Sequence, residues 1–127
     1  MLQVLLIDDD EFTLTLMRTI LLEAGYEVLS TADGPQGIEI FRQRRPDLVL
    51  LDLGLPSISG LEVLREIREF DPRARVVVVT GYGSAQSAET AMGLGALDYM
   101  AKPLDPKQFL EKVKGITGEP GHGQDEA

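Results

Sequence analysis

The chain has 127 residues, a length that suggests one domain built around a single hydrophobic core. Its formal net charge is -9, from 21 acidic and 12 basic residues, so direct binding to nucleic acids or to anionic membranes is not expected. The sequence contains no cysteine, no signal peptide and no apolar run long enough to span a membrane, which excludes disulfides and thiolate metal ligands and favours a cytoplasmic protein.

Predicted strands and helices alternate along the chain. The strands are short apolar runs, the pattern expected when helices cover both faces of a parallel sheet. The helices show apolar residues at spacings of three and four. In chain order the predicted elements are strand 3–7, helix 12–25, strand 26–30, helix 35–45, strand 47–51, helix 59–70, strand 75–79, helix 84–95, strand 96–100 and helix 105–116.

Glycine and proline mark several of the predicted helix ends. Gly25 ends the first helix, and Pro35 and Pro46 bracket the second. Gly37 is unfavourable inside that second helix by about 1 kcal/mol relative to alanine. The helix at 84–95 has small residues and glycines, so we expect it to be the most mobile of the five.

Five strands that alternate with five helices predict an α/β fold, a single doubly wound sheet of five parallel strands. Right-handed crossovers then place helices on both faces of the sheet. We predict that the folded domain spans residues 1–116. Residues 117–127 are rich in glycine and charge, and we expect them to be a disordered tail or the start of a linker.

Polar side chains stand at the ends of four of the predicted strands, where ligands bind in open α/β sheets. Asp8 and Asp9 follow the first strand, and Asp52 follows the third. Thr80 follows the fourth strand and Lys102 follows the fifth. The sequence therefore predicts three carboxylates, a hydroxyl and an ammonium group at one edge of the sheet.

Clustered carboxylates suit a hard divalent cation, and Mg²⁺ fits best because it usually works with phosphate. Zinc is disfavoured, since the single histidine, His122, lies in the predicted tail. Lys102 could neutralise a phosphoryl group and Thr80 could donate a hydrogen bond to it. A carboxylate can also be the nucleophile, and Asp52 is the expected acceptor because it stands alone on the central strand.

Short motifs surround these candidate residues. They are Asp8-Asp9, Asp52 with Pro56 and Gly60 in "DLGLPSISG", Thr80-Gly81 and Lys102-Pro103. In this order they resemble the receiver domain of two-component response regulators, over about residues 2–116. The resemblance implies a flavodoxin-like, receiver-type fold.

The resemblance also implies a phosphorylation-dependent switch that assists only its own phosphorylation and dephosphorylation, rather than an enzyme. A sensor histidine kinase or a histidine phosphotransfer protein would phosphorylate Asp52. Asp9 would ligate Mg²⁺ directly and Asp8 largely through water, with Asp52 and the main-chain carbonyl of Gly54 as further ligands. Lys102 would pair with the phosphoryl group.

Two residues of the resemblance match the moving parts of the switch. Thr80 would move to donate a hydrogen bond to the phosphoryl group, and Tyr99 would turn inward as it does so. The surface formed by the fourth helix, fifth strand and fifth helix would then change and be read by a partner or a second copy, giving a homodimer on activation. A cis peptide bond is implied between Lys102 and Pro103.

Two positions that vary within the family are expected to tune the lifetime of the phosphoryl group. Gly54 brings no side chain close to it, whereas Tyr82 is bulky. We expect Tyr82 to shield the phosphoryl bond partly from water.

Other interpretations of these residues remain open. The chain could be a receiver-like interaction module that works without phosphorylation. A phosphohydrolase with an aspartate nucleophile is disfavoured, because haloacid-dehalogenase-like enzymes have a second acid two residues on, where Gly54 stands. Tyr99 could equally be an ordinary half-buried aromatic residue. Arg42, Arg44 and Arg45 suit a helix end, where cations meet the dipole, with a docking patch as the alternative.

Overall fold

A computed structural model describes residues 1–81 and 85–118. Five strands and five helices alternate through these residues, as the sequence predicts. They are β1 (Gln3–Ile7), α1 (Glu11–Glu23), β2 (Glu27–Thr31), α2 (Gly34–Arg44), β3 (Leu48–Leu51), α3 (Gly60–Phe70), β4 (Val76–Thr80), α4 (Ala85–Gly93), β5 (Asp98–Ala101) and α5 (Pro106–Thr117). Among these helices none is long and apolar enough to cross a membrane.

The strands form one parallel sheet in the order β2-β1-β3-β4-β5, so the predicted doubly wound α/β fold is confirmed. Their registers keep the carboxyl ends level. Ile7 pairs with Leu51, Leu51 with Val78, and Thr80 with Ala101. Residues that follow these strands therefore emerge at one edge of the sheet, where the predicted site lies.

The core has two parts, one on each face of the sheet. Leu5 and Ile7 of β1 contact the cluster shared with α2 and α3, whereas Val4 and Leu6 contact the cluster shared with α1 and α5. The inner strands are buried on both faces, which explains why their sequences are continuous apolar runs without alternation.

Four helices begin at a side-chain cap that accepts a hydrogen bond from a free backbone N–H group of the first turn. The caps are Asp10 to the N–H of Phe12 (3.3 Å), Asp33 to Gln36 (2.9 Å), Ser59 to Glu62 (3.2 Å) and Asp105 to Gln108 (3.0 Å). Asp10 therefore caps α1, a structural role that the neighbouring Asp8 and Asp9 do not have.

Helix α5 reaches Thr117, one residue beyond the predicted limit of the domain. The cause is a tertiary anchor: the hydroxyl of the buried Tyr26 lies 2.8 Å from Thr117 Oγ1 and donates to the carbonyl of Gly118 at 3.2 Å. The rest of the predicted tail, residues 119–127, lies outside the described residues, so its disorder stays a prediction.

The last strand begins at Asp98, two residues later than predicted. Gly95 adopts a left-handed backbone conformation, with φ of 103°, and Ala96 donates its N–H back to the carbonyl of Ala91 at 3.0 Å. These residues therefore complete the turn after α4 rather than extend the strand.

Gly37 has a packing role inside α2. A Cβ atom at this position would lie 2.5 Å from Cδ1 and 2.9 Å from Cγ1 of Ile7, a fully buried side chain of β1. The absence of a side chain thus lets α2 approach the sheet closely, which outweighs the cost of glycine within a helix.

We predict that Gly37→Ala lowers the free energy of unfolding by about 1–2 kcal/mol, because overpacking exceeds the gain in helix propensity. Gly115→Ala is the matched control. Nothing lies within 4 Å of the added methyl group in α5, so this change should stabilise the protein by about 0.5–1 kcal/mol. Urea unfolding of the three proteins measures both signs, and a stabilising Gly37→Ala would contradict the packing argument.

Candidate functional site

The carboxyl edge of the sheet brings together the polar residues that the sequence placed at strand ends. Asp8 and Asp9 follow β1, Asp52 follows β3, Thr80 is the last residue of β4, and Lys102 follows β5. Asp8, Asp52 and Lys102 follow three different strands, yet the lysine contacts both carboxylates. We define the acidic rim as Asp8, Asp9, Asp52 and Lys102.

Backbone hydrogen bonds hold the two buried carboxylates in place. Asp8 donates its N–H to the carbonyl of Thr31 at 3.1 Å, and Asp52 donates its own to the carbonyl of Ile7 at 2.9 Å. Both bonds continue the ladder of the parallel sheet one step beyond the strands. The sheet register therefore fixes the separation between Asp8 and Asp52, rather than the loops alone.

Lys102 is the shared cation of the rim. Its Nζ lies 3.1 Å from Oδ1 and 3.0 Å from Oδ2 of Asp8, and 3.4 Å from Oδ2 of Asp52. The side chains of Asp8 and Asp52 are only 1% and 3% exposed, and that of Lys102 is 16% exposed. One ammonium group thus faces two carboxylates that have almost no contact with solvent.

The electrostatics of the rim raise the pKa of Asp8 to about 6. Burial is the main cause and the charge of Asp52 adds to it, while hydrogen bonds from the Asp10 N–H and from Lys102 oppose the rise. Burial by itself lowers the pKa of Lys102, but its contacts with Asp8 and Asp52 outweigh this, and the net pKa is raised. The lysine therefore stays charged over the physiological pH range.

The three carboxylates of the rim fit a metal ion. One oxygen from each of Asp8, Asp9 and Asp52 lies within 4.8 Å of the others. Oδ2 of Asp8 is buried and accepts no hydrogen bond from the described residues, since the nearby Lys102 Nζ makes an ion pair without hydrogen-bond geometry. A buried carboxylate oxygen without a donor is costly unless a cation approaches it.

Gly60 brings the start of α3 against the residue that follows β3. A Cβ atom there would lie 2.3 Å from the carbonyl oxygen of Asp52 and 2.5 Å from Cα of Leu53, and the Gly60 N–H donates to the Leu53 carbonyl at 3.0 Å. The sequence marks Gly60 only as part of a motif. The structure shows that it fixes the backbone on which Asp52 stands.

Two contacts near the rim were missed by the sequence analysis. The hydroxyl of Ser57 donates to Oδ1 of Asp33 at 3.2 Å, which ties the loop after Asp52 to the start of α2. Oδ2 of Asp10 lies 3.9 Å from Lys102 Nζ, so this helix cap also adds negative charge at the rim. The partners are at least 24 residues apart, and no local pattern could have paired them.

Two of the remaining predicted site residues, Thr80 and Pro103, adjoin Lys102. Thr80 is fully buried, and its carbonyl accepts the N–H of Lys102 at 3.1 Å. The Lys102–Pro103 peptide bond is cis, the isomer that the resemblance implies. Tyr99 is half-buried against the core on the α2 and α3 face, and Tyr82 lies outside the described residues. The switching of Tyr99 and the shielding by Tyr82 stay predictions.

Gly54, two residues after Asp52, contacts the carboxylate of Asp52 through its backbone. Gly54 donates its N–H to Asp52 Oδ1 at 3.3 Å, a long hydrogen bond. Because Gly54 has no side chain, it presents only backbone atoms to Asp52.

Comparisons with known proteins converge on one family. The sequence profile described as the response regulator receiver domain matches residues 4–114. Chemotaxis protein CheY of Treponema pallidum is 38% identical over 117 residues, which cover 90% of this chain and 81% of that protein.

Solved structures show the same likeness. A CheY-like receiver domain protein from Methanospirillum hungatei superposes with a TM-score of 0.89 at 31% identity, covering 100% of this chain and 99% of that one. A chain of the CheX-CheY-BeF3-Mg²⁺ complex from Borrelia burgdorferi superposes with a TM-score of 0.86 at 30% identity, covering 91% and 88%.

We predict that Asp8→Asn stabilises the metal-free protein at pH 7 by about 3 kcal/mol, and by less than about 1 kcal/mol near pH 4. The folded-state pKa of Asp8, about 6, lies above the ordinary value of 3.8, so the folded protein holds this proton more tightly. The contribution of Asp8 to stability is therefore fully present below about pH 4 and is lost as the pH rises through about 6.

Urea unfolding in the presence of a chelator at several pH values measures this difference. Asp9→Asn is the control, because the same change of charge occurs at an exposed position of the same loop. A stabilisation by Asp8→Asn that is independent of pH would contradict the burial argument.

Proposed function

The chain belongs to the response regulator receiver domain family, and from this we propose that it is a Mg²⁺-dependent phosphoryl acceptor that acts as a signalling switch. The phosphoryl group would come from a phosphohistidine of a sensor histidine kinase or a histidine phosphotransfer protein, and Asp52 would receive it. The observation that carries the proposal is the buried rim, in which two carboxylates share the single ammonium group of Lys102. The domain would catalyse nothing beyond its own phosphorylation and dephosphorylation.

The donor set of the rim supports Mg²⁺ as its metal. Asp8, Asp9 and Asp52 offer only oxygen ligands, and one oxygen of Asp8 is buried without a donor among the described residues. These side chains, with the main-chain carbonyl of Gly54 by family resemblance, would hold the ion. When bound, Mg²⁺ supplies positive charge that offsets the carboxylates and the phosphoryl oxygens. The neighbour in the CheX-CheY complex is described with Mg²⁺ and BeF3, which agrees with this assignment.

Asp52 suits the role of nucleophile better than Asp8 does. Oδ1 of Asp8 accepts from both the Asp10 N–H at 2.9 Å and Lys102 at 3.1 Å. The hydrogen bonds to Asp52 are longer, 3.3 Å from the Gly54 N–H and 3.4 Å from Lys102. Each oxygen of Asp52 thus gives up only one long hydrogen bond when it attacks, whereas one oxygen of Asp8 is held by two shorter bonds and the other lacks a donor among the described residues and faces the proposed metal site.

The transfer step balances without a further reactant. A carboxylate oxygen of Asp52 attacks phosphorus, and the new O–P bond forms as the N–P bond of the phosphohistidine breaks. The imidazole nitrogen leaves with the bonding electron pair and takes up a proton from water. Lys102, already 3.4 Å from Asp52, stays close enough to pair with an oxygen of the transferred group.

The switch would be a population shift around Thr80 and Tyr99. Thr80 ends β4 and is bonded through its carbonyl to Lys102, so a new negative charge beside Lys102 acts directly on the loop that begins there. A hydrogen bond from the Thr80 hydroxyl to the phosphoryl group would draw this loop inward. Tyr99, paired with Val78 on the neighbouring strand, would then occupy the vacated space and change the α4, β5 and α5 surface.

We predict that the protein gains the mass of one phosphoryl group on incubation with acetyl phosphate and Mg²⁺, and that Asp52→Asn gains none. Intact-protein mass spectrometry measures the adduct, and a chelator should abolish it in the wild type. An adduct on Asp52→Asn would show that another residue accepts the phosphoryl group. If no adduct forms although Mg²⁺ binds and the sample is quenched in acid at early times, the acceptor role is wrong.

The metal assignment has its own test in a pair of neighbouring acids. Asp9→Asn should weaken Mg²⁺ binding by about tenfold or more, because it removes a ligand. Asp10→Asn should change the affinity by no more than about twofold, since asparagine also caps α1 and Asp10 is not in the ligand cluster. Isothermal titration calorimetry measures both, and equal weakening would show that Asp9 acts only through its charge.

A further inference from the structure

A group of arginines lies at the edge of the sheet opposite the acidic rim. Arg42 and Arg44 end α2, Arg45 follows them, and Arg73 precedes β4. All four are exposed, and so is Phe70 at the end of α3, which is 41% exposed. We call these five residues the arginine surface. A third of the 12 basic residues of an acidic chain thus stands at one end of the molecule.

Phe70 is the platform on which two of these arginines rest. The guanidinium carbon of Arg45 lies 4.6 Å from the centre of the Phe70 ring, and that of Arg42 lies 5.6 Å from it. The ring itself is fixed edge-to-face, at 6.3 Å, against the buried Phe41. Contact with the ring restricts the motion of a guanidinium group, and the five N–H donors of this group can bind more than one carboxylate.

Nearby acids neutralise this surface only in part. Arg42 pairs with Glu39 at 3.7 Å, and both side chains are well exposed. Arg45 pairs with Asp71 at 3.1 Å. The side chains of Arg44 and Arg73 make no hydrogen bond or ion pair with any residue in the described parts of the chain.

The backbone at Arg45 is held in an unfavourable conformation. Its φ of 46° lies in the left-handed region, and it is the only residue other than glycine with a positive φ in the described ranges. Glycine or asparagine is the usual residue at this position after a helix, and a bulkier side chain there is strained. In this conformation the Arg45 guanidinium lies over Phe70 and beside Asp71, two contacts that a glycine could not make.

We propose that the arginine surface binds a carboxylate-rich segment of a protein partner. Charge complementarity supports this occupant, because among the described residues the four guanidinium groups form ion pairs with only two carboxylates, Glu39 and Asp71, which leaves a local excess of positive charge on a chain of net charge -9. Nucleic acid is disfavoured, since a long phosphate backbone would also meet the acidic remainder of the protein. Binding at this end leaves the acidic rim, at the opposite edge of the sheet, open to a second partner.

The test uses a short all-glutamate peptide as the probe and the full chain labelled with ¹⁵N. At low ionic strength, the peptide should shift the amide signals of residues 42–45, 70 and 73 and leave the rim unshifted. Arg44→Glu should raise the dissociation constant about fivefold or more. Lys107→Glu makes the same change of charge at an exposed position of α5 and should leave the constant nearly unchanged.

Arg45→Gly separates binding from a purely structural role. Glycine relieves the backbone strain, so the thermal unfolding midpoint should hold while peptide binding weakens. A lowered midpoint with unchanged binding would show that Arg45 only joins α2 to α3, and would overturn the proposal. The proposal would also be overturned if the peptide did not bind, or if it shifted amide signals over the whole protein surface. An equal effect of Lys107→Glu, or tighter binding of a single-stranded oligonucleotide of equal charge, would overturn it too.

Discussion

Two buried carboxylates meet a single ammonium group where the parallel strands end, so the site has more negative than positive charge. The other properties of the site depend on this charge imbalance. Asp8 and Asp52 are almost entirely withdrawn from water, and Lys102 compensates only one of their charges. Separating such charges from solvent costs free energy unless another cation offsets them. The raised pKa of Asp8 and its buried oxygen without a donor are two consequences of the same imbalance.

The sheet holds this imbalance in place through its register and through close helix packing. Backbone hydrogen bonds beyond β1 and β3 fix the two carboxylates relative to each other. Gly37 lets α2 approach β1, and Gly60 lets α3 approach the backbone of Asp52. At either position a single methyl group would displace a helix from the strand or loop that carries a rim carboxylate. Tertiary packing therefore determines the residue at these positions, rather than local helix preference.

The molecule has a second charged region at the end of the sheet opposite the acidic rim. The acidic rim lies at the carboxyl edge, while the arginine surface, partly compensated by Glu39 and Asp71, lies at the amino edge, where α2 and α3 finish. Cations at helix ends also meet the helix dipoles, so this placement costs little. The metal and phosphoryl group proposed for this chain, and the proposed protein partner, would therefore contact different ends of the sheet.

The sequence by itself determined the alternation of elements, the α/β class and the strand-end positions of Asp8, Asp9, Asp52, Thr80 and Lys102, because periodicity and chain order are local properties. It missed the limits of α5 and β5, which depend on the Tyr26 anchor and the turn at Gly95. It also could not tell why Gly37 and Gly60 are glycines, or that Phe70 carries two guanidinium groups. Only the tertiary structure decided these features, because each is a contact between segments far apart in the chain, whose distance no local pattern encodes.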